Sequence, residues 1–383
     1  MAALAAKLAR GDSVLTFGAD GKGYLPSLLE QLDVPVESQI LVFSKSSLQS
    51  TLIDPKRPRA LYFNDTVAVG SIPGAPLLEL TAIGRDGRLR FYTLETGAKT
   101  SPRVEESGSC MSCHGGAGAG AATMLVLNVT PFRNGDFISA SDDRLADFTD
   151  GRTPVENRWG GWYVTGGDGA VRHRGNLFAE GRDNPRLVAA QGQNLTDLSG
   201  IFDTKPYLRT SSDIVALMTL EHQVGVGMLA AKLNDQVGKE EQPKVVEATV
   251  RELADYLLGV DQATLEGPVQ GTSGFAEAFA RQGPRDPQGR SLREFDLRTR
   301  LFRYPLSYMI YSPTFDAIAP EAKLLVYRRL VAVLTGKDAS PKYGRLSRTE
   351  RSAALEILAA TKPDLPPFWP RGAAVASLPS ARR

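Results

Sequence analysis

The sequence predicts an α+β fold, with a mixed, β-rich N-terminal half and a mainly helical C-terminal half. Three observations predict it. Short apolar runs separated by turn residues crowd the first hundred positions. After about residue 205 the apolar spacing changes to the three- and four-residue step of a helix. Between the two lies Cys110-Met-Ser-Cys-His114, which holds both cysteines of the chain.

The elements follow in order. Tyr24 to Leu32 has the spacing of a short helix. Ile40 to Phe43, Ala60 to Phe63, Leu77 to Ile83 and Leu89 to Leu94 read as strands. Asp54-Pro-Lys-Arg-Pro-Arg59 is a turn-rich basic connection. Beyond the cysteines, Met124 to Val129 and Trp162 to Thr165 are further strands. Helical spacing then covers Ser211 to Asn234, Val245 to Leu258 and Ala322 to Thr335. Ser347 with Glu350 three residues on is a capping box, opening a helix that runs to about Ala360. Gly283 to Arg303, rich in Arg, Asp and Gln, reads as a surface loop. The tail from Lys362, with its Pro366-Pro-Phe-Trp-Pro370, is expected to be extended or disordered. The predicted organisation is therefore a mixed region 1–205 that contains the cysteine segment, a helical region 206–361 that packs on that segment, and a tail 362–383.

Composition narrows the function classes. The 383 residues are 42% hydrophobic and 23% charged, enough apolar material for a real core. Lys plus Arg is 45 and Asp plus Glu 43, a balance that gives no reason to expect a nucleic-acid or membrane-surface partner. No run approaches the roughly eighteen apolar residues of a membrane span. The longest, such as Ile214 to Leu220, have core-helix length, so no transmembrane segment is expected.

Cys-x-x-Cys-His reads as c-type haem attachment. Two thiols two residues apart on a helical turn can each add to one haem vinyl group. The adjacent His then meets the iron. Cys110 and Cys113 are thus the thioether residues and His114 the proximal ligand, for one covalent haem c. A thiol-redox pair normally opens a helix in a βαβ setting, whereas a Gly/Ala loop follows here. A zinc site needs four ligands, and only His173 and His222 could complete it. Cysteine attachment of haem takes place outside the bacterial cytoplasm, which predicts a periplasmic protein. Met1-Ala-Ala-Leu-Ala-Ala-Lys lacks the basic and apolar regions of a secretion signal. A mature or trimmed form, or a misassigned start, is therefore expected.

The opposite side of the iron has several candidates. His222 shares a helical face with Ile214, Met218 and Leu229, and reads either as a core histidine or as the second metal ligand. Glu221 beside it reads as exposed or as a proton-handling neighbour. Gly225 and Gly227 would let that helix approach a flat macrocycle closely. His173 sits between Arg172 and Arg174, whose guanidinium groups suit haem propionates; a solvated basic hairpin is the alternative. Trp159, Trp162 and Tyr163 form the densest aromatic cluster, either core or, with Trp162, a wall of the haem pocket. Met124, Met218, Met228 and Met309 complete the ligand candidates, with Met1 at the terminus the poorest.

Four segments carry a family resemblance: Leu41-Val-Phe-Ser-Lys-Ser-Ser-Leu-Gln49, Pro58-Arg-Ala-Leu-Tyr-Phe-Asn-Asp65, Arg158-Trp-Gly-Gly-Trp-Tyr-Val-Thr-Gly166, and Ser212-Asp-Ile-Val-Ala-Leu-Met218 with Glu221-His-Gln223. Over roughly residues 24 to 230 the chain resembles a family of long single-haem cytochromes c of Gram-negative bacteria. The resemblance implies haem and the periplasm and leaves the reaction open. The family pattern has a His near position 168, where this chain has Asp168, which turns attention from the hairpin to His222. Three functions fit: electron transfer to a redox partner protein, a peroxidase-like or nitrogen-oxide-handling enzyme acting on a small-molecule oxidant, and a haem-based sensor. Electron transfer is the leading expectation, although nearly four hundred residues around one haem exceed what a shuttle needs.

Overall fold

Seven antiparallel strands in the order β6-β5-β4-β3-β2-β1-β9 form the main sheet. They are β1 (Ile40–Val42), β2 (Arg59–Phe63), β3 (Val67–Ser71), β4 (Leu77–Ile83), β5 (Leu89–Glu95), β6 (Val104–Glu106) and β9 (Trp162–Tyr163). The computed structural model describes residues 1–12, 15–18, 20–97, 102–115, 123–139, 148–167, 172–181, 186–189 and 194–371. Two hairpins flank the sheet, β7 (Val129–Pro131) with β8 (Phe137–Ser139) and β10 (Leu177–Glu180) with β11 (Arg186–Ala189). The helices are α1 (Ala2–Arg10), α2 (Leu25–Gln31), α3 (Met111–His114), α4 (Ile214–Gly238), α5 (Pro243–Leu257), α6 (Phe275–Arg281), α7 (Pro313–Asp316), α8 (Pro320–Leu334) and α9 (Arg348–Thr361). The α+β class and its division into sheet first and helices later are as the sequence predicts.

Successive side chains of a strand point to opposite faces, so the sheet feeds two cores. Tyr62, Val69, Leu80 and Leu94 face one way and pack with Leu25, Leu28 and Leu29 of α2. Ile40, Val42, Phe63 and Ala68 face the other way and join the large core built on α4, α5, α8 and α9. That larger core runs without a break across residue 205, where the sequence suggests a boundary.

α4 is the axis of the molecule. Its 25 residues extend well past the apolar run Ile214 to Leu220. By length and composition it is the one described helix that could cross a membrane, but 78% of its most apolar stretch is buried inside the protein. It is a core helix. Asp213 caps it, accepting from the N–H groups of Val215 and Ala216 at 2.8 and 3.1 Å. The other carboxylate oxygen holds the N–H groups of Thr272 and Ser273.

Several expectations change. Met124 to Val129 is not a strand; β7 starts only at Val129, while Leu127 makes a single bridge to Phe148. The tail does not extend away at Lys362. Trp369 is buried against Tyr327, and Lys362 pairs with Asp316 at 3.0 Å. The capping box of α9 is present with both of its hydrogen bonds. Asp168 lies outside the described residues.

Candidate functional site

The Cys-x-x-Cys-His segment forms one helical turn, α3, laid over the sheet. The His114 ring packs at a tilt against Phe91 of β5, centroids 4.8 Å apart. Its Nδ1 lies 2.8 Å from the carbonyl oxygen of Thr123. A carbonyl can only accept, so Nδ1 carries the proton and donates it. Partial burial lowers the pKa of the ring, which keeps it neutral. Together these leave an unprotonated Nε2 whose lone pair is fixed in direction. A histidine that ligates a metal is commonly oriented in this way. The backbone N–H of Thr123 bonds back to the His114 carbonyl at 3.3 Å, closing the loop between them.

Cys110 is half-exposed, and burial pushes its thiol up rather than down. A raised thiol is a poor nucleophile, which argues against a thiol-redox pair. The Arg59–Glu79 ion pair, 2.5 Å, lies nearby and acts electrostatically on both Cys110 and His114. The side chain of Cys113 lies outside the described part of the structure.

Beside this turn is a cavity of about 860 Å³, between one face of the sheet and α4. Ligand sites commonly enclose about 300–1,000 Å³. Met111 of α3 borders it, as do Thr123 and Met124 further along the chain and Thr81 and Leu89 of the sheet. α4 contributes a stripe from Leu220 to Gly238, about 27 Å at the helical rise per residue.

The remaining residues that the sequence singles out are scattered. His222 faces away from the cavity. Its Nε2 lies 2.6 Å from Ser307 Oγ, its Nδ1 3.0 Å from Gln262 Nε2, and its ring stacks on Tyr256. Both nitrogens are engaged, so the geometry is that of a core histidine. Burial drives its pKa down to about 3. The expectation that Glu221 is exposed is corrected: it is fully buried, paired with Arg158 at 3.0 Å and accepting from Thr149 at 2.7 Å. His173 is buried beside Trp159, and its pKa falls to about 4. Arg172 is exposed, Arg174 donates to Thr130 Oγ1 at 2.7 Å, and neither borders the cavity. Trp162 belongs to the core and donates to the Leu127 carbonyl at 2.7 Å. The glycines between the tryptophans do allow a close approach, but to Val129: a side chain at Gly160 would meet its carbonyl.

The cavity sorts the remaining candidates and adds two cations that the sequence reading did not single out. Of the methionine candidates, only Met124 and Met309 border it, Met124 accepting from Thr81 Oγ1 at 3.2 Å. The cations at its edge are Arg88 and Lys239 rather than Arg172 and Arg174. Among the described residues no carboxylate pairs with Arg88, whereas Lys239 pairs with Asp235 at 2.8 Å. Gly225 and Gly227 have separate roles: Gly225 makes room for Tyr256, and Gly227 faces the cavity. The methionines and Gly227 have a signal in the sequence, the latter as a glycine inside an apolar helix, whereas the two cations have none. Among the described residues no group of three or more His, Cys, Asp or Glu converges. Comparison of the chain with protein-family models, with curated proteins and with solved structures gave no match.

Proposed function

We propose that this chain is a periplasmic mono-haem c-type cytochrome with a redox role. Cys110 and Cys113 would hold the haem through thioethers, and His114 would be the proximal ligand. The observation that carries this reading is the hydrogen bond from His114 Nδ1 to the Thr123 carbonyl. It selects the tautomer and the ring orientation that a ligating Nε2 needs. Met111 of the same turn borders the neighbouring cavity, so open space lies next to α3, while Cys110 and His114 themselves are not among the residues that line it. Arg88 and Lys239 are the groups at the cavity edge suited to pair with propionates.

Bound haem would supply one-electron chemistry. The chain's own part is to orient His114, to keep its ring neutral, and to exclude water with the apolar stripe of α4. Electron transfer to a partner protein is the simplest use of such a centre. The size of the cavity favours a second reading, a haem enzyme acting on a small oxidant.

The test is a Cys110→Ser/Cys113→Ser variant, expressed with a secretion signal and the haem-maturation machinery. Haem staining on a denaturing gel should appear for the parent chain and vanish for the variant. A parent chain without stain, or a variant that keeps it, removes the proposal.

A further inference from the structure

We infer that the cavity binds a long-chain carboxylate, its alkyl chain laid along α4 over Gly227 and its carboxylate held by Arg88 and Thr314. The inference does not rest on the haem reading, since neither Cys110 nor His114 borders the cavity.

The apolar bed comes first. Leu220, Val224, Gly227 and Ala231 follow one another at helical spacing along the cavity. A side chain built at Gly227 would meet nothing within 4 Å, so open space lies directly above it. Ile83 and Leu89, cross-strand partners on β4 and β5, line the sheet side. Leu220 and Val224 are buried, whereas Gly238 and Lys239 at the other end of the stripe are exposed. The space therefore runs from the core to the surface, and an elongated apolar body suits it.

Charge then sets the direction of the occupant. At the buried end stands Asp65, 3.5 Å from Gln223, and a carboxylate there repels an anion. At the exposed end each carboxylate already has a cation. Arg90 holds Asp86 with bonds of 3.0 and 2.7 Å, and Lys239 holds Asp235 at 2.8 Å. Arg88 borders the cavity and, among the described residues, has no carboxylate partner. The turn that carries it rests on α7, because a side chain at Gly87 would collide with Ala317. Ala317 is tied in turn to the exposed end of α4, its carbonyl accepting from Asn234 Nδ2 at 3.2 Å. α7 also brings Thr314 to the cavity, only 7% exposed and with its hydroxyl unpaired among the described residues. A buried hydroxyl is seldom left without a partner. Thr314 can donate to a carboxylate that the Arg88 guanidinium forks, with the alkyl chain running back over Gly227. A haem propionate presents the same carboxylate chemistry, so the test separates the two sources.

The experiment is a calorimetric titration of the full chain with laurate, and with dodecanol as its uncharged counterpart. It is run on the parent, expressed with haem maturation, and on the Cys110→Ser/Cys113→Ser chain. Both should bind laurate, and dodecanol at least about tenfold more weakly. Arg88→Met should lower laurate affinity about tenfold and leave that for dodecanol unchanged. Thr314→Val should lower laurate affinity roughly fivefold. Gly227→Leu fills the open space with a better helix former, so its far-UV circular dichroism should be kept while the affinity for both probes falls at least about tenfold. Absence of laurate binding from both chains overturns the inference. So does laurate affinity unchanged in Gly227→Leu, or unchanged in Arg88→Met. Laurate binding that appears in the Cys110→Ser/Cys113→Ser chain and is abolished by covalent haem in the parent gives Arg88 to a propionate and overturns it as well. Haem staining of the parent reads the haem proposal separately, whatever the titration gives.

Discussion

His222 makes two side-chain hydrogen bonds and packs on Tyr256 and Phe302, and these contacts decide what its removal does. His222→Ala leaves a void and strips Ser307 and Gln262 of a partner, at a cost of about 2–4 kcal/mol in a denaturant titration. With the proposed haem bound, the visible spectrum should not change, because His222 does not border the cavity. A changed spin state would make His222 an iron ligand after all. The pH dependence follows from the same burial. Protonation of His222 is pushed from the ordinary 6.5 down to about 3, and that of His173 to about 4. Both rings are neutral in the fold, whereas the unfolded chain takes up their protons near pH 6.5. Their contribution is thus complete above that pH and is withdrawn as pH falls toward 4 and then 3, by about 1.4 kcal/mol per unit for each ring. His222→Ala should lower the slope of stability against pH between 6 and 4. An unchanged slope would mean that His222 is not buried neutral. From the sequence, His222 could be placed on an apolar helical face. Its direction could not be read, because the partners that fix it, Gln262 and Ser307, come from loops 40 and 85 residues away.

At the scale of the element, α4 depends on Asp213. One carboxylate oxygen caps the helix and the other ties down the Thr272–Ser273 loop, with the Ser273 hydroxyl adding a third bond there at 2.9 Å. Asp213→Ala therefore removes a cap, worth about 1 kcal/mol, and leaves buried loop N–H groups without acceptors, worth about 1–3 kcal/mol more. Asp213→Asn keeps an oxygen for the cap but presents N–H to the loop, so it should recover about the cap's share. Chemical denaturation of the three proteins measures this directly, and equal midpoints would show that the loop contacts add nothing. The capping function was legible only where chemistry repeats in a short window. Ser347 and Glu350 signal α9 because the two halves of the box lie three residues apart. Asp213 spends half of its hydrogen bonding about 60 residues away, where no local pattern can show it. β3 was missed for a related reason. Val67–Ser71 includes Gly70, a poor strand former, needed there because Arg59 crosses over it to reach Glu79. The strands with alternating large apolar residues, Leu77–Ile83 and Leu89–Glu95, were readable nearly to the residue.

Across the whole molecule, the sheet half and the helical half share their polar as well as their apolar interior. Arg158, just before β9, pairs with Glu221 of α4, both side chains almost entirely enclosed. Burial raises the Glu221 carboxyl, and the guanidinium opposes that shift. Such a pair adds little net stability when complete, but removal of one partner strands a charge, at about 3–5 kcal/mol. The start of α4 is stitched to the sheet as well: Ser212 Oγ accepts from the Leu41 N–H at 2.8 Å and donates to the Tyr163 carbonyl at 2.6 Å. A helical half cut away at residue 205 would expose Ile214, Leu217 and Leu220 and leave Glu221 without its cation. The two halves should therefore unfold together. Trp159 and Trp162 report on the sheet side, and far-UV circular dichroism reports chiefly on the helices that follow residue 206. In a Trp369→Phe background the remaining two tryptophans give a clean fluorescence signal from the N-terminal half. The two denaturation curves should coincide in midpoint and slope. Glu221→Gln, which leaves Arg158 without its counter-charge, should shift both curves to lower denaturant by the same amount. A fluorescence transition that separates from the circular dichroism transition, in either protein, would show two independently stable halves. It would also mean that the cavity lies between two bodies able to part, rather than inside one.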